Sequence, residues 1–228
     1  MIGRKRLTAW ALLAGFGMVI GTAGTAAAQA TPKAAAKAAD GPTITFNDVT
    51  HDPEAPVGGN PKGKLTIVEF FDYNCPVCKR SNPMLEAVLK KNPDIRVAYK
   101  DWPIFGADSV YAARVVTASK WQGKYIAFHN ALLDQPRHAD PAVVKAVAEK
   151  VGVNWSRLQA DLKTHGQTIS ALLARNARQA DAIGLNGTPA FLIGHYLLSG
   201  APKNIAGFEK VIADARKAER AAPNKGKM

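Results

Sequence analysis

Cys75 and Cys78 are the only cysteines in the 228-residue chain, and the residues around them constrain the local fold more tightly than any other stretch. The run from Leu65 to Tyr73, Leu-Thr-Ile-Val-Glu-Phe-Phe-Asp-Tyr, is β-branched and aromatic and reads as a buried strand. A helical pattern follows from Cys75 to Lys91, and Ile95 to Lys100 forms the next strand. Strand, helix and strand in this order make a β-α-β unit, with the cysteines where the first strand enters the helix. Unpaired N–H groups and the positive end of the helix dipole stabilise a thiolate there. Cys75 is therefore expected to titrate below the free-thiol value of ~8.5, with Cys78 about one turn further on. Thiol–disulfide exchange is the chemistry this arrangement predicts. Pro83 is expected to kink the helix, because its ring displaces a main-chain hydrogen bond.

Plainer readings of the pair fit less well. A structural staple across so short a ring gains roughly 2 kcal/mol in the chain-entropy model, less than the ~3 kcal/mol of a 15-residue loop. A zinc site needs a second half. There is no second cysteine pair, and His51, His129, His138, His165 and His195 are far apart without ligand-like spacing. A c-type haem site would need histidine after Cys78, where Lys79 stands.

The N-terminus has the pattern of a secretory signal peptide over residues 1–30. Arg4, Lys5 and Arg6 form its positive region, and Leu7 to about Gly21 its apolar region. Ala26-Ala27-Ala28 or Ala28-Gln29-Ala30 gives the cleavage site. The apolar segment is glycine-rich and shorter than the ~20 residues of a spanning helix. Export would place the cysteines in an oxidising compartment. Cleavage would leave 27 Lys and Arg against 18 Asp and Glu, a charge of +9, where the whole chain carries +12. These basic residues are scattered among acids rather than gathered in an aromatic-studded stripe, which argues against nucleic acid as a partner and for a solvated basic surface.

Residues 31–59 read as a flexible extension. They are Ala- and Lys-rich at first, with a short edge strand at Thr43 to Phe46 and then turn residues through Pro61. Residues 60–218 read as one α/β domain. Helices are expected over Ser109 to Gln122, Lys124 to Leu133, Asp140-Pro141 to Val151, a segment capped by Asn154, and Thr168 to Ile183. Ala190 to Ile193 and Tyr196 to Ser199 flank Gly194-His195 as a hairpin, and Asn204 to about Lys217 is a terminal helix. Residues 219–228 read as a loose basic tail.

This order of elements, together with Glu69-Phe-Phe-Asp-Tyr-Asn-Cys-Pro-Val-Cys-Lys79, Pro83 and Gly187-Thr188-Pro189-Ala190-Phe191, resembles the thioredoxin-like DsbA family of periplasmic disulfide oxidoreductases. The resemblance implies a thioredoxin-like fold with an inserted helical subdomain at about 107–183. It also implies Cys75 as the exposed nucleophile, Cys78 as its buried partner, and Glu69 as a buried acid that handles the Cys78 proton. Pro189 would be a cis-proline packed on the cysteines, and the Thr188 backbone would pair with an extended client, beside Pro76 and Val77. Lys100 is weighed as a basic partner of Glu69 and as a solvent-exposed lysine. Where the best-known members carry Pro-His between the cysteines, this chain has Pro76-Val77, and valine cannot favour the thiolate by charge.

The resemblance further implies client proteins with cysteine thiols as substrates, a membrane quinone-linked oxidase as the recharging partner, a periplasmic location, no cofactor and no metal. Oxidation of clients is the favoured direction. Reductase or isomerase action, a trimeric copper-tolerance-linked subgroup, and a copper carrier using both thiolates are the alternatives. Residues 31–60 are too short and too broken by Pro and Gly for a dimerisation domain and lack a sustained heptad, which favours a monomer.

Overall fold

The computed structural model describes residues 43–221 of the chain. The expected signal peptide, the first part of the extension and the last residues of the tail lie outside the described residues. The elements run α1 (Phe46–Thr50), β1 (Val57–Gly59), β2 (Leu65–Phe71), α2 (Pro76–Lys91), β3 (Ile95–Asp101), α3 (Ala107–Ala118) and a 3₁₀ turn (Ser119–Gln122). After these come α4 (Tyr125–Leu133), α5 (Pro141–Lys150), α6 (Trp155–Ala182), β4 (Ala190–Ile193), β5 (Tyr196–Ser199) and α7 (Ile205–Ala221).

A five-stranded sheet of order β1-β3-β2-β4-β5 carries the fold. β2 and β3 are parallel, with α2 as their crossover, and the other pairings are antiparallel. Alternation along the central strands sorts their side chains into two cores. Leu65, Ile67, Phe71, Val97, Tyr99, Phe191 and Ile193 pack with Leu85 and Val88 of α2 and Phe208 and Ile212 of α7. Val68, Phe70, Ala98, Ala190 and Leu192 face the other way, against Val49 of α1 and Ala180 of α6. The helices α3 to α6 are inserted between β3 and β4 and add their apolar faces to the first core. The architecture is thus the α/β one expected.

Several boundaries differ from those read in the sequence. Thr43 to Phe46 is not a strand. Thr45 caps α1 through a reciprocal box in which its side chain accepts from Asp48 N–H and the Asp48 carboxylate accepts from Thr45 N–H. Residues 43–59 are part of the packed structure rather than a loose extension: Val49 is buried, and β1 pairs with β3. Gly59 makes this pairing possible, since it has φ 63 and a Cβ there would lie 2.5 Å from the Ile95 carbonyl oxygen. Asp52, in a stretch that looked like a turn, is buried and binds Lys100 and Arg175.

The segments capped by Asn154 and beginning at Thr168 form one 28-residue helix, α6, which runs through Gly166. An interior glycine costs only about 1 kcal/mol against alanine, and burying Leu158, Ile169, Leu172 and Leu173 outweighs it. Pro83 lies within α2 without ending it, and α7 continues to Ala221, beyond the expected stop and into the expected tail.

Candidate active site

Cys75 is the N-cap of α2, and Pro76, which lacks an N–H, occupies the first helical turn where none is needed. Its Sγ accepts from the Cys78 N–H at 3.3 Å, so the sulfur occupies the place a Ser or Asp oxygen takes in an ordinary cap. Across the cleft the Cys75 thiol donates to the Thr188 carbonyl at 3.2 Å. The Thr188–Pro189 peptide is cis, and Pro189 is buried beside it at the start of β4. Both cysteines are free thiols.

Their environments push the two thiols apart. Cys75 is lowered to about 6, chiefly by the Cys78 thiol donating to it. Burial opposes this, and a Thr188 side-chain contact and the Cys78 and Val77 N–H groups assist it. Burial raises Cys78 far above a normal thiol, and the adjacent Cys75 sulfur adds to this. One sulfur is thus a thiolate near neutral pH and the other holds its proton. The expectation of an exposed Cys75 needs correction: its residue is 1% exposed and Cys78 0%. The sulfur at the N-cap turns back onto the helix and towards Thr188 instead of outward. Pro76 is exposed and Val77 half-buried at the mouth.

Glu69 lies on β2 in the first core, 0% exposed, and neither carboxylate oxygen has a hydrogen-bond partner among the described residues. Burial, then the charges of Glu86, Asp101 and Cys75, raise it to about 8. Lys100 is not its partner. Being one residue out of phase with Glu69's neighbour Tyr99, it points to the other face, where it is fully buried and bonded to Asp52 at 2.9 Å. Neither the basic partner nor the exposed lysine weighed from sequence is found.

The site contains a residue that the sequence reading passed over. Asp72 is buried and its carboxylate accepts four hydrogen bonds: from Asn74 N–H at 2.7 Å, Ile104 N–H at 2.7 Å, Phe105 N–H at 3.0 Å and the Ser109 hydroxyl at 2.7 Å. Its carbonyl also accepts from Cys75 N–H at 3.1 Å. Asp72 therefore ties the cysteine loop to the segment after β3, where Ile104 and Phe105 are 43% and 48% exposed. Asn74 and Lys79 make a second tie, to the loop between α4 and α5. Asn74 Oδ1 accepts from Ala139 N–H, and Lys79 Nζ donates to the carbonyls of Gln135 and Arg137. The sequence signal was present in Asp72, a carboxylate three residues before the first cysteine.

Among the described residues, no group of three or more His, Cys, Asp or Glu side chains is placed to hold a metal ion, and no helix is long and apolar enough to cross a membrane.

Comparison with known proteins agrees with this geometry. The family of DSBA-like thioredoxin domains matches residues 66–213. The crystal structure of a thioredoxin-like oxidoreductase from Silicibacter pomeroyi DSS-3 is 36% identical, with a TM-score of 0.72, and the match covers 79% of this chain and 100% of that one. A thiol:disulfide interchange protein DsbA of Bordetella parapertussis is 29% identical over 168 residues, 69% of this chain and 78% of the relative. The Na(+)/H(+) antiporter NhaA 3 of Salinispora tropica is 25% identical over 176 residues, 75% of this chain, and this chain spans only 26% of that protein.

Proposed function

We propose that this chain, which belongs to the DSBA-like thioredoxin domain family, is a thiol:disulfide oxidoreductase that exchanges a Cys75–Cys78 disulfide with the thiols of client proteins. The observation that carries the reading is the division of the two sulfurs: Cys75 as the N-cap of α2 with its pKa lowered to about 6, and Cys78 buried with its own raised.

In the disulfide form, a client thiolate attacks Cys75 Sγ and the Cys75–Cys78 bond breaks. Cys78 leaves with the electron pair and takes a proton from Glu69. A second client thiolate attacks the client sulfur of the mixed disulfide and expels Cys75 as a thiolate. Two electrons have passed from client to protein. Pro76 and Val77 border the reacting sulfur, and the Thr188–Pro189 backbone facing it serves as the edge against which an extended client segment lies.

Oxidation of clients is the favoured net direction, because a stabilised Cys75 thiolate stabilises the reduced protein and makes the disulfide more oxidising. On this reading the protein works as a monomer in the periplasm after removal of residues 1–30, and a membrane quinone-linked oxidase restores its disulfide. The test is a paired assay: oxidation of reduced ribonuclease by the disulfide form, and reduction of insulin by the dithiol form. Cys78→Ala should accumulate mixed disulfides with clients and Cys75→Ala should not. Alkylation trapping in cells should find mostly disulfide; mostly dithiol would instead indicate a reductase or isomerase. Tight copper binding with no exchange in either assay would make the pair a metal carrier.

A further inference from the structure

A second buried acid lies behind the dithiol, and the exchange steps above leave it without a role. Asp101 ends β3 and is 1% exposed. The register pairs Glu69 with Tyr99 and Phe71 with Asp101. Glu69 and Asp101 therefore lie on neighbouring strands, on one face, two positions apart. Strand spacing of ~4.8 Å and a rise of ~3.3 Å per residue put their Cα atoms about 8 Å from each other. Asp101 Oδ2 accepts from the Tyr125 hydroxyl at 2.9 Å, while Oδ1 has no partner among the described residues.

Among the described residues, the titratable groups that bear most on the two carboxyls are neutral or acidic. Glu86 of α2, both cysteines and Tyr99 stand around Glu69. Tyr125 of α4, Tyr73 and Asp72 stand around Asp101. His129, fully buried and held neutral with its pKa lowered to about 3, packs against both Tyr73 and Tyr125. The lysine next in sequence, Lys100, is on the opposite face and bonded to Asp52.

We infer that Asp101 is a positioning residue for the proton that Cys78 exchanges: a charge on either buried carboxyl opposes a charge on the other, so Asp101 sets the pH at which Glu69 can accept that proton. The inference rests on the reading of Glu69 as the acid that serves Cys78. Burial raises Asp101 to about 7, close beneath Glu69 at about 8, and the Asp101 charge is among the causes that raise Glu69. The two therefore titrate as a coupled pair. When Cys78 attacks the Cys75 mixed disulfide to release a client, its proton passes to ionised Glu69. Lowering the Glu69 midpoint makes that acceptor available at lower pH.

The experiment is a carboxyl-carbon NMR titration of the reduced, full-length protein and of Asp101→Asn, Tyr125→Phe and Glu69→Gln. Beside it, stopped-flow release of a fluorescent peptide from its mixed disulfide with Cys75 is followed against pH. In Asp101→Asn the Glu69 midpoint should fall by roughly one and a half units, the size of a like-charge interaction at about 8 Å and an effective dielectric near 20. Peptide release at pH 7 should then speed up roughly eightfold as the ionised fraction of Glu69 rises. Tyr125→Phe, which keeps the carboxyl but removes the donor that favours its charge, should shift the midpoint the same way by less. Glu69→Gln should lower the Asp101 midpoint reciprocally.

A purely structural Asp101 would change stability and leave these midpoints in place. A Glu69 midpoint that moves by less than about a fifth of a unit in Asp101→Asn and in Tyr125→Phe overturns the inference, whatever Glu69→Gln does. A release profile that ignores Glu69→Gln overturns the role of Glu69 itself, and with it the link from Asp101 to Cys78, even if the midpoints still move together.

Discussion

Replacing Glu69 with glutamine removes a buried titration and keeps the shape of the side chain. Glu69 is raised from 4.5 to about 8 in the folded chain because it is wholly buried, with no hydrogen-bond partner among the described residues and with acidic neighbours. The sign follows from linkage. Above pH 4.5 the unfolded chain ionises this carboxyl while the folded chain keeps it protonated. Its contribution is therefore fully present below pH 4.5 and is lost as pH rises towards about 8. At ~1.36 kcal/mol per unit, the loss between pH 4 and pH 8 is about 4 kcal/mol, a large share of the ~5–15 kcal/mol that holds a domain together. Glutamine does not titrate, so the variant escapes this loss. Any penalty from burying its amide is the same at every pH. The assay is urea unfolding of the reduced proteins, followed by circular dichroism from pH 4 to 8.5. The stability difference, variant minus parent, should rise by about 4 kcal/mol across that range. An offset that stays constant with pH would refute the claim that Glu69 is protonated in the folded state at neutral pH.

Other perturbations test the remaining parts. Asp72→Asn should destabilise the protein by at least about 2 kcal/mol and speed proteolysis near Ile104 and Phe105, since an amide cannot accept all four donors the carboxylate holds. Lys100→Met should cost roughly 3 kcal/mol in urea unfolding at pH 7, because it removes the fully buried cation of Asp52 and leaves that carboxylate with Arg175 and the Glu54 N–H. Asp52 is lowered from 3.8 to about 2, so its contribution is present above pH 3.8 and lost as pH falls through about 2; in Lys100→Met this acid loss should be smaller. Val77→His should lower the Cys75 midpoint and raise the reduction potential by a few tens of millivolts in glutathione equilibration, at ~30 mV per 1.4 kcal/mol; an unchanged potential would make Val77 a packing residue only.

What could be read in the sequence was what local pattern dictates. The strand into Tyr73, the cysteines at the helix start, the strand from Ile95 and the hairpin around Gly194 each follow from periodicity or from turn residues within a few positions. What escaped depends on distant partners. β1 is three residues with two glycines and exists because β3 pairs with it. Asp52 looked like a turn residue because its cations are 48 and 123 positions away. Asp72 gains its role only when the segment after β3 folds back over the cysteine loop. The Thr45 to Asp48 capping signature was legible, and the β-branched run over Thr43 to Thr45 masked it.

The Asp52 cluster has a consequence for the order of assembly. Its guanidinium partner, Arg175, emerges from the ribosome 123 residues after Asp52, roughly 6–25 s later at ~5–20 residues per second. Until then Val49 of α1 lacks its packing against Ala180 of α6, and the cluster lacks its second cation. The first part of the domain to be synthesised is therefore among the last to gain its full set of contacts.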